Sequence, residues 1–79
     1  MSPTVFRWRG YRFYFFSREE DRMHVHVYCA EGEAKFWLRP EIALAYNHGI
    51  RPSELTGIQK AIEEHRDEIA RAWRGHFRH

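Results

Sequence analysis

The stretch Met23–Leu38, MHVHVYCAEGEAKFWL, constrains this chain more than any other. His24 and His26 alternate with Val25 and Val27. Side chains along a strand repeat every two residues, so the two histidines share one face and the valines the other. Glu31-Gly32 reads as a turn, and Glu33–Arg39 as a second strand in which Lys35, Trp37 and Arg39 alternate with Ala34, Phe36 and Leu38. Pro40 ends that strand, because proline has no N–H for the ladder. A hairpin with one apolar and one polar face is therefore predicted. The turn leaves two registers open, and only one brings the histidine face and the Lys35 face together.

The flanking residues extend the same logic. Thr4–Arg9 and Tyr11–Phe16 are rich in β-branched and aromatic residues, and Arg9-Gly10 between them reads as a tight hairpin. Tyr11, Phe13 and Phe15 share one face of the second run, and Arg12, Tyr14 and Phe16 the other. With both faces aromatic, this strand is either central or covered by a partner. Ser17–Arg22 (SREEDR) is a polar loop. Ile42–Tyr46 alternates again and fits either a short edge strand or one helical turn, before the turn signal Asn47-His48-Gly49.

The last third reads as one long helix. Leu55, Ile58, Ile62, His65, Ile69, Ala72 and Trp73 recur at intervals that draw an apolar stripe, with Lys60, Glu63, Glu64, Arg66, Asp67 and Arg71 outside it. Pro52 suits the first helical position, but Arg51 is a poor cap, so Ser53 is expected to cap a helix that begins later. Gly57 marks a kink or a close approach to the sheet, and Gly75 the C-terminal cap. The expected fold class is α+β: a single domain over 1–79, with an antiparallel β-meander of four to five strands packed on one long C-terminal amphipathic helix.

Composition bounds the function. A chain of 79 residues makes one small domain, and its one cysteine, Cys29, excludes a disulfide scaffold or a cysteine-rich zinc site. No run is long enough to span a membrane, and MSPTVFRWRG lacks the apolar core of a signal peptide, so a soluble cytoplasmic protein is expected. The net charge is only +2, but Arg7, Arg9, Arg12, Lys35 and Arg39 fall in the strands while most acids fall in the helix and turns. A basic sheet face attracts phosphates. Glycine-rich phosphate loops, the Gly-x-Ser-x-Gly elbow and zinc-finger spacing are all absent from the sequence.

The residues Pro3-Thr4-Val5, Tyr11-Arg12-Phe13, His24-Val25-His26-Val27, Ala34-Lys35-Phe36-Trp37-Leu38, Pro52-x-Glu54-Leu55, Glu63-Glu64-His65-Arg66 and Trp73 together resemble a small bacterial domain-of-unknown-function family, number 4160. Arg51 departs from the serine expected there. The resemblance covers essentially the whole chain. It implies the toxin half, DhiT-like, of a type II toxin–antitoxin system, with a cognate antitoxin encoded by an adjacent gene as partner.

Residue chemistry offers three readings of the hairpin. An RNA-cleaving enzyme would use His24 and His26 as acid and base and Lys35 as the phosphate cation, with Arg12, Tyr14, Trp37 and Arg39 binding nucleic acid or partner. A non-catalytic binding module would use the same aromatic and basic side chains, and an unpaired edge strand would invite a homodimer. Two histidines two apart can both ligate one ion, but two ligands do not make a metal site, and no cofactor is expected. His65, Trp8 and Trp73 read as core, and Cys29 as a small buried hydrophobe on the valine face.

Overall fold

The computed structural model describes residues 4–16 and 22–77. Five strands, β1 (Thr4–Trp8), β2 (Tyr11–Tyr14), β3 (His24–Cys29), β4 (Gly32–Trp37) and β5 (Ala43–His48), are followed by two helices, α1 (Pro52–Glu64) and α2 (Arg66–His76). The strands pair antiparallel in chain order, β1-β2-β3-β4-β5, which is the expected meander with the fifth strand formed. Arg9 and Gly10 both take positive φ, 49° and 81°, as a two-residue hairpin requires. In the loop after β5, the Asn47 side chain accepts from the Ile50 N–H (3.1 Å) and donates to its carbonyl (2.7 Å), which closes the turn. The β3–β4 turn lies one residue earlier than the expected Glu31-Gly32. Cys29 pairs with Gly32, so Ala30-Glu31 form the bend. Gly32 is needed at the start of β4 because a Cβ there would collide with the backbone of His48 and Gly49.

One face of the sheet carries Phe13, Val25, Val27, Ala34 and Phe36, all essentially inaccessible to solvent. Ile58 and Ile62 of α1 and Ile69 of α2 complete this core and are also fully buried. Each of these valine, isoleucine and phenylalanine side chains stabilises the fold by about 1.5–3 kcal/mol relative to its exposed state. Trp73 and Cys29 join the same cluster, and Trp8 packs on its margin, as their spacing suggested.

The helical third departs from one long helix. It breaks at His65 (φ −104°, ψ 16°), whose N–H still donates to the Ala61 and Ile62 carbonyls. Neither glycine nor proline marks the break, and the apolar stripe runs across it without a gap. The signal lies in the charges. Asp67 and Glu68 occupy the first turn of α2 and Arg74 and His76 its last, each matching the helix dipole. His65 is not a core histidine. Its side chain is 37% exposed, stacks on Phe6 at 4.0 Å and bonds Glu68 at 2.8 Å.

Both expected helix caps need correction. Ser53 does not cap α1: the helix starts at Pro52, with Arg51 at the cap position, and the Glu54 N–H donates to the Arg51 carbonyl. Of the two readings of Gly57, close approach to the sheet holds, since a Cβ there would stand 3.3 Å from the ring of Trp8 in β1. Gly75 lies inside α2, and Phe77 takes the C-cap. The loop expected at Ser17–Arg22 lies outside the described residues except for Arg22, as do Pro3 and the end of the basic tail. Among the described residues, no helix is long and apolar enough to cross a membrane.

Candidate functional site on the open sheet face

The register settles which side chains share the face opposite the core. Tyr14 pairs with His26, His26 with Lys35, and Lys35 with Tyr46. These four residues therefore form one row across β2, β3, β4 and β5. His24 pairs with Trp37 beside that row, and Arg12 pairs with Tyr28 on its other side. The histidine face and the Lys35 face thus coincide, and Tyr14, Arg12 and Trp37 lie on the same surface. Arg39 does not join them. It is exposed beyond the end of β4, where its carbonyl accepts from Arg22 Nε at 2.8 Å.

The centre of this face is closed. His24 is 0% exposed, His26 4% and Lys35 9%. The histidine pair is therefore not accessible from this face, although the core with Ile58, Ile62 and Ile69 lies on the other. The imidazole of His24 stands edge-on to Trp73 (5.0 Å between ring centres), His26 (5.1 Å) and Trp37 (5.7 Å). Trp73 comes from α2, so the helix reaches around the end of the sheet as well as under it. His26 lies between Phe16 (4.3 Å) and Tyr14 (5.4 Å).

His24 Nδ1 lies 2.6 Å from the Arg22 carbonyl oxygen. A carbonyl only accepts, so Nδ1 is the donor in this bond. The bond spans only two residues and fixes the ring as the chain enters β3.

Around the closed centre runs a rim of cation–aromatic pairs. The Arg22 guanidinium lies 4.1 Å and the Lys35 ammonium 4.4 Å from the centre of the Trp37 ring. The Arg12 guanidinium lies 4.6 Å from the Tyr14 ring, and its Nε donates to Thr4 Oγ1 at 2.6 Å. Such pairs hold long cationic side chains flat against the sheet and keep them beside a ring. Arg7, Tyr28 and His48 are exposed on the same face, and Glu33 is its exposed carboxylate among the described residues. Sequence reasoning missed Arg22, which was assigned to a polar loop. Its place beside Trp37 follows from the chain's entry into β3, and no local spacing encodes it.

Elsewhere, Tyr11 donates to Glu54 Oε1 at 2.9 Å and ties β2 to the start of α1. Burial and that carboxylate push the phenol up to about 12. Cys29 is buried, and its Sγ donates to Glu31 at 3.4 Å. Among the described residues, no three His, Cys, Asp or Glu side chains gather as metal ligands.

The family model described as a domain of unknown function, DUF4160, matches residues 10–74. The chain belongs to the DUF4160 family. No curated protein and no solved structure matches it. In this DUF4160 domain the matched span runs from the first hairpin turn to Arg74, so it contains the β2–β5 part of the face described above, all of α1 and most of α2.

Proposed function

We propose that this DUF4160 protein is the toxin-like member of a toxin–antitoxin pair and that it acts in the cytoplasm by binding RNA through its open sheet face. The observation that carries this reading is the rim around Trp37. A half-buried indole with two cations over its ring, on the same face as the Arg12–Tyr14 pair, offers both things a single strand needs. Aromatic faces stack bases at about 1–3 kcal/mol each, and cations meet the phosphates. The burial of His24 and His26 favours binding over cleavage at those rings, because a general base must reach the proton it removes. The antitoxin encoded by an adjacent gene would mask this same face.

A ribonuclease remains the second reading, and one observation favours it. His26 and Lys35 lie directly opposite each other across β3 and β4, which is the acid–base and cation pairing that such chemistry uses.

Growth of a bacterial host carrying the inducible chain tests both readings. Wild type is expected to slow growth with bulk RNA intact, and Trp37→Ala with Arg12→Gln to relieve the arrest. Co-expression of the neighbouring gene should also relieve it. Fragmented RNA that becomes intact when His26 alone is replaced would transfer the case to the ribonuclease. Wild-type growth at full expression would end both.

A further inference from the structure

A second basic feature lies away from the open face. Arg66, Arg71 and Arg74 of α2 and Arg39, two residues beyond β4, line a cleft of about 240 Å³ together with Asp67 and Leu38. The spacing explains the assembly. Arg66 and Arg74 lie eight residues apart, and Asp67 and Arg71 four apart, so all four project from one side of the helix. The break at His65 lets α2 turn across the end of the β3–β4 hairpin, which brings Arg39 to the same opening.

Four arginines and one aspartate line this cleft, a formal excess of three positive charges among its lining residues. An opening lined by an excess of like charge attracts a counter-ion of opposite sign. Asp67, one turn before Arg71, neutralises part of that charge, and the remaining forks come from both the helix and the strand end. Guanidinium forks match the oxygens of phosphate in pairs. A planar carboxylate is satisfied by one fork, whereas a tetrahedral dianion can take forks from several directions. The cleft has room for about eight waters' share of liquid, which exceeds the needs of a bare phosphate, and the Leu38 floor gives an apolar group somewhere to lie.

We propose that this cleft is a binding site for a phosphate monoester, held by Arg39, Arg66, Arg71 and Arg74. The site does not depend on the RNA-binding reading. It faces α2 rather than the open sheet face, and a free mononucleotide or the phosphorylated end of a strand would supply the same group.

The test is an NMR titration of the full chain with inorganic phosphate, adenosine 5′-monophosphate and adenosine. Phosphate and the monophosphate are expected to shift the amides of Ala70, Arg71 and Arg74 saturably, and adenosine to leave them unmoved. Arg71→Gln and Arg74→Gln should each weaken the monophosphate by about tenfold, and Arg74→Lys, which keeps charge but loses the fork, by several-fold. Lys60→Gln on α1 is the control and should change nothing. These arginines are exposed, so thermal melting of each variant should match wild type. A 5′-phosphorylated RNA that binds tighter than its 5′-hydroxyl twin, with the difference abolished by Arg74→Gln, would identify a strand end as the source. Equal affinities would identify the free mononucleotide. Non-saturating shifts, equal response to adenosine, or an unaffected Arg71→Gln and Arg74→Gln pair would overturn the site. Loss of RNA binding in Trp37→Ala with the phosphate titration unchanged would separate this site from the sheet face.

Discussion

His24 supplies the sharpest prediction, because a packing role and a catalytic role give opposite outcomes for stability. The ring is fully buried, touches the rings of His26, Trp37 and Trp73, and donates Nδ1–H to the Arg22 carbonyl at 2.6 Å. His24→Ala empties the ring's volume and orphans that carbonyl. Cavity formation at a fully buried site costs roughly 2–3 kcal/mol for a side chain of this size, and the lost hydrogen bond adds about 1 kcal/mol. The total, about 3–4 kcal/mol, is a large part of the roughly 4–12 kcal/mol expected for a chain of this length. His24→Asn places its amide nitrogen near the position of Nδ1, keeps the bond to Arg22, and should recover about 1 kcal/mol. The assay is equilibrium urea unfolding followed by tryptophan fluorescence, with both Trp37 and Trp73 as near reporters. Ile62→Ala, at a fully buried aliphatic site, is the stability-matched control at about 2–5 kcal/mol. A growth-arrest phenotype that falls equally in His24→Ala and Ile62→Ala follows from packing. A His24→Ala variant within about 0.5 kcal/mol of wild type, the usual scatter for surface positions, would refute the packing argument.

Other consequences follow from the same contacts. Tyr11 has its folded pKa raised to about 12, so the fold binds this proton more tightly than the unfolded chain. Its contribution is full below about pH 10, the unfolded phenol value, and is lost as pH rises through about 12. Tyr11→Phe should flatten that alkaline limb in unfolding curves taken at successive pH values, and an unchanged slope would count against the Glu54 contact. Gly32→Ala drives a Cβ into the His48 carbonyl and should lower stability by about 2 kcal/mol or more, read as a loss of β5 amide protection in hydrogen exchange. Gly75→Ala meets nothing within 4 Å in α2 and should raise the melting midpoint, by up to about 1 kcal/mol in stability.

Period-two alternation carried most of the sheet. Val25, Val27, Ala34 and Phe36 face the core because every second residue must, and the tight Arg9-Gly10 turn follows from the positive φ that glycine takes readily. The break at His65 stayed hidden because the stripe from Leu55 to Trp73 never loses its phase. Only the acids at Asp67 and Glu68 hint at a new helix start, and acids on an outer face are common. At the site, alternation placed His24 and His26 together, and the Ala30-Glu31 turn then fixed the register that puts Lys35 opposite His26. Their burial was not legible, since it depends on Trp73 reaching from α2 and on Phe16 lying beside His26. The first contact crosses a long stretch of chain, and the second depends on the course of the chain after β2. Arg22 and the Arg39–Arg74 cleft escaped notice for the same reason: each joins residues that no local period links.

The measurement closest to the central proposal is fluorescence anisotropy of a labelled single-stranded RNA titrated with the purified chain, with the RNA run afterwards on a denaturing gel. Saturable binding that weakens as salt rises is expected, with a loss of about tenfold or more in Trp37→Ala and full-length RNA on the gel. Anisotropy that never rises, or binding that Trp37→Ala and Arg12→Gln leave untouched, would contradict it.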